Sequence, residues 1–394
     1  MAGVLDGVRV LDLGRYIAGP MCSSLLGDLG AEVIRIERVG GGEDRLTAPL
    51  GEDCDSGAGY QAFNRNKKGL TLDPGSPKGR EVMKRLIATA NIVVVNMPLP
   101  AIRKIGLDYD SLVAIKPDII LVHTSAFGVD GPYAERVGFD GVGQAMNGAV
   151  YMSGDPGAPR RTSAPYVDVT TAMFNAYGAL AAVMHKRATG QGQKVETNLL
   201  RSALNLTNGG VIEQALTQIN RVPTGNRAQG AGPGDIHRTK DGSILIQVVS
   251  DALFRRWAKL VGAEDWIDDP RFATDELRGQ SNHLLSAKSA LWAANLTTTE
   301  ALDALGAAMI PAGPVLTPQQ VLEDPHIIAA GYYQPRDYPG LPGPAPVIEP
   351  GARFSTIRLS RTRPPTIGEH TDEILGDLGY TGDEIDGLRA DGVI

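Results

Sequence analysis

The sequence predicts an α/β protein: a parallel sheet covered by helices on both faces, plus a smaller α+β domain. Three observations carry this. In the first half of the chain, short apolar runs alternate with segments of helical periodicity, the pattern of strand–helix–strand units. Beyond about residue 220 the texture changes, with a glycine-rich loop followed by one strand and several helices. At 394 residues the chain is long enough for two domains and a large core.

Residues 8–13 (Val-Arg-Val-Leu-Asp-Leu) read as a buried strand, 20–29 as a helix, and Ala31-Glu-Val-Ile-Arg-Ile36 as a second strand. Residues 77–90 have helical period. Ile92-Val-Val-Val95 and Asp118-Ile-Ile-Leu-Val-His123 are further strands. Val169 to Met184 is a small-residue apolar run that reads as a buried helix. Thr224 to Gly234 is a glycine-rich loop. It precedes a strand at 242–249, a helix at 251–261, and helical stretches at 273–294 and 298–308. From Ala312 to Pro346 the chain is rich in Gly and Pro and reads as a long connection with short helical pieces; 368–378 returns to amphipathic helix. The expected division is a large domain over 1–220, a small domain over 221–330, and a linker with return to the large domain over 331–394.

Open parallel sheets bind ligands beyond the carboxyl ends of their strands. The segments 14–20, 37–42, 96–98 and 124–131 are therefore the places to search. The turn after the first strand, Gly14-Arg-Tyr-Ile-Ala-Gly-Pro20, is not a dinucleotide fingerprint, and no Walker loop, zincin motif or nucleophile elbow occurs. Gly40-Gly-Gly-Glu-Asp44 is a flexible loop whose acids would repel phosphate. Asn64-Arg-Asn-Lys-Lys68 is either a solvated cationic loop or an anion site, with Arg35, Arg38 and Lys104 near the same strand ends.

Composition excludes several classes. Apolar content of 42% with 21% charged residues is that of a globular protein. A net charge of −7 without a basic block argues against nucleic acid as a partner. Cys22 and Cys54 cannot form a disulfide framework or a thiolate metal site, and the six histidines lack metal-ligand spacing. A reduced, cytoplasmic setting is expected. The N-terminal segment lacks a signal-peptide pattern, and the longest apolar run is interrupted by Asn175 and Gly178, so no membrane partner is expected.

Asp168 opens the long apolar run after Arg161-Thr-Ser-Ala-Pro-Tyr-Val167. A carboxylate there is a good helix N-cap. Facing a cleft, it can equally attack an activated carbonyl or move a proton.

The chain resembles the class III CoA-transferases, whose relatives include the alpha-methylacyl-CoA racemases. The resemblance runs nearly end to end. Its larger pieces are Leu5-Asp-Gly-Val-Arg-Val-Leu-Asp-Leu13, Leu26 to Glu37, and Asn64-Arg-Asn-Lys-Lys-Gly-Leu-Thr-Leu-Asp73. Shorter ones are Ala18-Gly-Pro20, Asn96, Gly138-Phe-Asp-Gly141, Thr189 to Val195, Gly225-Asn226, His370 to Leu375 and Gly392-Val-Ile394. The resemblance implies a Rossmann-like large domain built from both ends of the chain and an interlocked homodimer. It also implies CoA and acyl-CoA as substrates, no permanently bound cofactor, and a carboxylic acid as second substrate.

By the same resemblance Asp168 matches the catalytic aspartate, which forms an anhydride and then a thioester with CoA. The helix start is expected to stabilise its charge. Ala18, Arg38, Leu72, Asp73, Asn96 and Lys104 fall where the family contacts CoA. Ile17 stands where oxalate-type members place Gln, which argues against oxalate and formate. Ile17, Phe139, Tyr133 and Met146 suggest a partly apolar acyl pocket. The loop 230–234 lies about where some members have a mobile lid.

Two alternatives stand beside CoA transfer. A racemase uses Asp168 as acid/base with a histidine on the opposite face; here Phe139 takes that place and cannot carry a proton. His123 at a strand end is a weaker substitute, better read as a satisfied core residue. A non-catalytic CoA-binding protein is the other.

Overall fold

The computed structural model describes residues 3–52, 54–357, 359 and 361–394. Met1 and Ala2, part of the N-terminal segment read above, lie outside the described residues. Two compact units form. One comprises residues 1–147, 163–210 and 330–394; the other comprises 148–162 and 211–329. The segment 148–162 belongs to the second unit without any compositional mark in the sequence. The later boundaries fall at 210/211 and 329/330.

The first unit is built on six strands: β1 (Arg9–Asp12), β2 (Glu32–Glu37), β3 (Lys67–Thr71), β4 (Ile92–Val95), β5 (Ile120–Ser125) and β6 (Lys194–Asn198). Their order is β3-β2-β1-β4-β5-β6, and every pairing is parallel. The chain winds outward from β1 to β3, then crosses back to β4 and winds the other way. The topological switch point therefore lies between β1 and β4, where a crevice opens at the carboxyl ends.

Alternation along the strands supplies both faces. Leu11, Ile34, Ile36, Val93 and Val95 point to one core, which Ile374, Leu375, Leu388, Val393 and Ile394 complete. Val10, Val33, Ile92, Val94 and Val122 point to the other. There they meet helix α1 (Ala18–Asp28) and a long helix described below. The intervening helices include α2 (Pro77–Thr89), α3 (Leu99–Lys104), α4 (Asp140–Met146) and, running to 24 residues, α5 (Tyr166–Thr189). α5 buries Ala172, Ala176, Ala179, Ala182 and Val183 on the sheet. Gly178 permits this approach: a Cβ there would lie 2.6 Å from Val195 Cγ1.

Several expectations are corrected. α5 opens at Tyr166, ahead of the expected Val169. It is also long and apolar enough to cross a membrane by length and composition, although its small-residue stripe is packed on the sheet. β3 and β6 were not expected. The sequence of β3, Lys67-Lys-Gly-Leu-Thr71, hides a strand because Lys67 is wholly buried on Asp12, with Nζ 2.6 Å from Oδ2. Its neighbour Arg65 is buried on Asp28 through two bonds of 2.8 and 2.5 Å. Arg65 and Lys67 are therefore internal ion pairs, Lys68 is paired at the surface with Glu32 and Glu373, and the anion-site reading fails.

The second unit carries an antiparallel sheet of β7 (Gly234–Arg238), β8 (Ser243–Gln247) and β9 (Ala312–Pro314), with β8 central. Phe254, Trp257, Phe272, Leu285 and Leu305 pack beneath it. β9 shows that the Gly/Pro-rich connection begins as a strand. Residues 333–336 and 345–348 pair as a hairpin within that same connection. The 230–234 loop is not built as a free lid. Asn282 Nδ2 donates to Ala228 O and Gly234 O, Ala231 is buried, and Gly279 packs under the loop, where a Cβ would strike Gln229 O.

Candidate active site

The switch-point crevice is a cavity of about 460 Å³, walled by the turns after β1, β4 and β5 and by the start of α5. A smaller hollow of about 140 Å³ adjoins it; Arg15, Tyr16 and Met97 line both.

The turn after β1 is held from three sides. Asp12 Oδ1 accepts the Gly14 N–H at 2.9 Å, and Arg35 donates to Gly14 O at 3.1 Å. Asn96 then brackets Arg15: its Oδ1 accepts the Arg15 N–H and its Nδ2 donates to Arg15 O, both at 2.7 Å. Tyr16 follows with φ of 60°, a left-handed conformation rare for a bulky side chain. Such strain persists only where the surroundings dictate it. The tyrosine ring meets Phe139 edge-on at 5.5 Å, on the cavity wall.

Below this turn lies a buried ionic network. Arg35 pairs with Asp44 at 2.6 Å and approaches Asp12 and Glu37; Arg45 pairs with Glu37 at 2.6 Å. Asp44 is thus neutralised inside the protein and does not oppose a phosphate. Burial pushes the Lys67 ammonium down to about 8, against the pull of Asp12.

Asp168 is half-buried on the cavity wall. It is the third residue of α5, and Pro165 occupies the cap position without a side-chain hydrogen bond. The capping role falls to Asp140, whose Oδ1 accepts the N–H groups of Val167 at 2.8 Å and Asp168 at 3.0 Å. The N-cap reading of Asp168 is therefore replaced. So is the expectation that the helix start stabilises its charge. Burial, then the neighbouring Asp140 charge, push the Asp168 carboxyl up to about 7. A raised pKa makes the ionised form a stronger base and nucleophile.

The other expected site residues separate. Ala18 and Asn96 line the large cavity with Asp168. Arg38 and Leu72 line the smaller hollow. Arg38 is largely exposed and held by Gly41 O at 2.8 Å, with Glu43 at 3.4 Å. Asp73 and Lys104 line neither. Asp73 turns its carboxylate onto the Gly75 N–H at 2.9 Å. On α3 it is Arg103, one residue before Lys104, that reaches the wall. Arg15 and Arg136 join it there, and sequence reasoning singled out none of the three; only Arg15 lies just after a strand end. Ile17 and Phe139 do line the cavity. Tyr133 and Met146 do not, and Tyr133 stacks on Arg136 instead, 4.0 Å from its guanidinium carbon. His123 is buried, with Nε2 3.0 Å from Met97 O, and burial pushes its pKa down.

Residues 5–371 match CoA-transferase family III. The chain is 34% identical to the succinyl-CoA–D-citramalate CoA-transferase of Chloroflexus aurantiacus, over 99% of this chain and 98% of that protein. It is 30% identical to the succinate–glutarate CoA-transferase of Agrobacterium fabrum, over 95% of each. A crystal structure of a CAIB/BAIF family protein from Brucella suis superposes with a TM-score of 0.84 at 30% identity, covering 96% of this chain and all of that one. The switch-point cavity, the fold around it and these full-length relatives agree: the chain belongs to CoA-transferase family III.

Proposed function

We propose that this enzyme moves CoA from an acyl-CoA to a carboxylic acid with Asp168 as the covalent carrier. The observation that carries the reading is the Asp168 carboxylate on the cavity wall with Ala18 and Asn96, at the carboxyl ends of the strands. An Asp168 oxygen attacks the thioester carbonyl, the C–S bond breaks, and CoA leaves as thiolate with a mixed anhydride behind it. The thiolate attacks the aspartyl carbonyl, and the donor acid departs as carboxylate. The acceptor carboxylate then repeats the two steps in reverse, and Asp168 is regenerated. Each bond made replaces one broken, and no net proton is consumed. Dividing the exchange this way keeps the energy of the thioester.

The CoA phosphates are assigned to the smaller hollow and Arg38, with the pantetheine thiol leading into the larger cavity. For the acyl group we propose a short dicarboxylic acid. Arg15, Arg103 and Arg136 offer guanidinium forks for a distal carboxylate, while Ile17 and Phe139 cover the chain. The test is a panel of acyl-CoA donors, succinyl-CoA first, against mono- and dicarboxylic acceptors, read by mass. Monocarboxylic acceptors outrunning every dicarboxylic one would remove the arginine assignment.

Only ionised Asp168 can attack. With its pKa near 7, kcat/KM for the acyl-CoA is expected to fall about tenfold per pH unit below that value and to level off above it. A profile flat between about pH 5.5 and 8.5 would contradict the carboxylate nucleophile.

Racemisation needs a second proton carrier. Phe139 lines the wall where one is required, and His123 is buried with its Nε2 3.0 Å from Met97 O, burial pushing its pKa down. The enzyme is therefore expected not to exchange the alpha proton of a 2-methylacyl-CoA with deuterated water when no acceptor acid is present. Rapid deuterium incorporation with loss of stereochemical purity would promote the racemase reading.

A homodimer is part of the proposal. Helix α6 (Leu199–Thr217) leaves Leu204, Leu206, Val211, Ile212 and Leu216 exposed, and α5 exposes Met173, Tyr177 and Met184. Apolar area of this extent calls for cover, and a second copy is the occupant proposed. Interlocked copies are expected to stay dimeric at nanomolar protein in analytical ultracentrifugation; a folded monomer there would refute the assembly.

A further inference from the structure

We propose that Asp140 is a positioning residue for the transfer: it fixes the backbone at Val167 and Asp168, and its charge sets when Asp168 can react. The inference rests on the reading of Asp168 as covalent carrier.

The geometry is specific. Asp140 is the first residue of α4, buried, and 28 residues from Asp168 in sequence. Its Oδ1 receives the successive backbone N–H groups of Val167 and Asp168, and its Oδ2 receives Gln144 Nε2 at 2.5 Å. Gln144, also buried, donates from the same nitrogen to Ala164 O at 3.1 Å, which ties down the strand of chain entering α5. Thr171, one turn after Val167, closes the turn by donating its hydroxyl to Val167 O at 2.7 Å. Pro165 has no N–H and caps nothing. Asp140 and Gln144 thus tie the first turn of α5 to α4.

The same carboxylate acts electrostatically. By taking the free N–H groups, it uses the positive end of the helix that would otherwise favour an ionised Asp168. It also adds a like charge. The remaining ionisable groups on the cavity wall are Arg15, Arg103, Glu135, Arg136 and His123, whose pKa burial pushes down. Asp168 makes no side-chain hydrogen bond or ion pair recorded among the described residues. The arrangement therefore keeps a poised, basic carboxylate with a fixed backbone and an unanchored side chain, free to swing between thioester and anhydride geometries.

Two substitutions separate the roles. Asp140→Asn keeps an oxygen for the two backbone N–H groups and removes the charge. Asp140→Ala removes both. For Asp140→Asn the acid limb of the kcat/KM profile should move to lower pH by at least half a unit, with kcat within about tenfold of wild type. For Asp140→Ala kcat should fall roughly a hundredfold while KM for the acyl-CoA stays within about threefold, because the CoA contacts lie elsewhere. Thermal melts identify a variant that fails to fold, and then the Asn variant's pH profile decides alone. An acid limb unmoved in Asp140→Asn, or wild-type kcat in Asp140→Ala, overturns the proposal. Borohydride trapping of wild type during turnover keeps the two readings apart. Label on Asp168 with indifferent Asp140 variants refutes this inference only; no label on Asp168 refutes the carrier itself.

Discussion

Asp168→Ala is expected to lose CoA exchange by roughly 10⁴-fold or more, because a double displacement without its carrier has no first step. CoA binding should survive, since the walls proposed for its phosphates and pantetheine are made by the turns after β1, β2 and β4. Hydroxylamine or borohydride added during turnover should modify Asp168 in wild type and nothing equivalent in the variant. Retained exchange at near wild-type rate would eliminate the mechanism. Asp168→Asn adds a pH signature. The wild-type carboxyl titrates near 7 when folded and near 4 when unfolded. Between those values the native state holds more protons, so folding stability falls as pH rises and the full penalty stands above about 7. The neutral amide escapes this penalty. Asp168→Asn should therefore melt above wild type at pH 8 and level with it near pH 4. Equal melting at both pH values would mean that Asp168 is not strained by burial and Asp140. A site that is costly to fold and necessary for the reaction is the usual trade between stability and activity.

The second large effect is on folding. Asp12 is fully buried. It neutralises Lys67 at 2.6 Å, approaches Arg35 at 3.6 Å, and accepts the Gly14 N–H. Asp12→Ala leaves the Lys67 ammonium buried among Pro20 O, Asn64 Oδ1 and Phe63 O with no counter-charge. Removing one partner of a buried pair costs about 3–5 kcal/mol, a large part of a domain's stability. The sign with pH is definite. Lys67 already titrates low, near 8, so the unfolded state holds the extra proton and stability rises with pH up to the unfolded value. Without Asp12 that window extends further down, and the variant should recover stability as pH is raised from 7 to about 10. Urea unfolding at several pH values measures it. A variant whose midpoint matches wild type at pH 7 would remove the buried pair from the account.

The strands that could be read in the sequence are those whose apolar residues show through, even where β1 and β2 also bury Asp12 and Arg35. Ile92-Val-Val-Val95 has no polar atom to mislead. β3 was hidden because its buried lysine is compensated by Asp12, 55 residues away, and no local pattern records that partner. β6, at the sheet edge, carries Lys194 and Glu196 on a partly exposed face and lacks an apolar run. The site divides similarly. Asp168, Ala18 and Asn96 came from resemblance and do share a wall. Lys104 lines neither hollow, because α3 turns Arg103 to the crevice. Asp140 was out of reach, since its bond to the start of α5 depends on how two distant turns meet.

One face of the large sheet is finished late. Leu11, Ile34, Val93 and their neighbours are covered partly by Ile374, Leu375, Leu388, Val393 and Ile394, which follow the second unit in the chain. During synthesis, residues 211–370 must be added before that cover exists, roughly 10–30 s at ribosomal rates. For that interval a strip of branched aliphatic surface waits on the nascent chain, the kind of surface chaperones hold. The closing pairing joins residues some 300 positions apart, such as Thr71 N to Thr371 Oγ1. Refolding from denaturant should be slow for the same reason. Yield in the cell is then governed by protection of this half-built sheet as much as by the stability of the finished one.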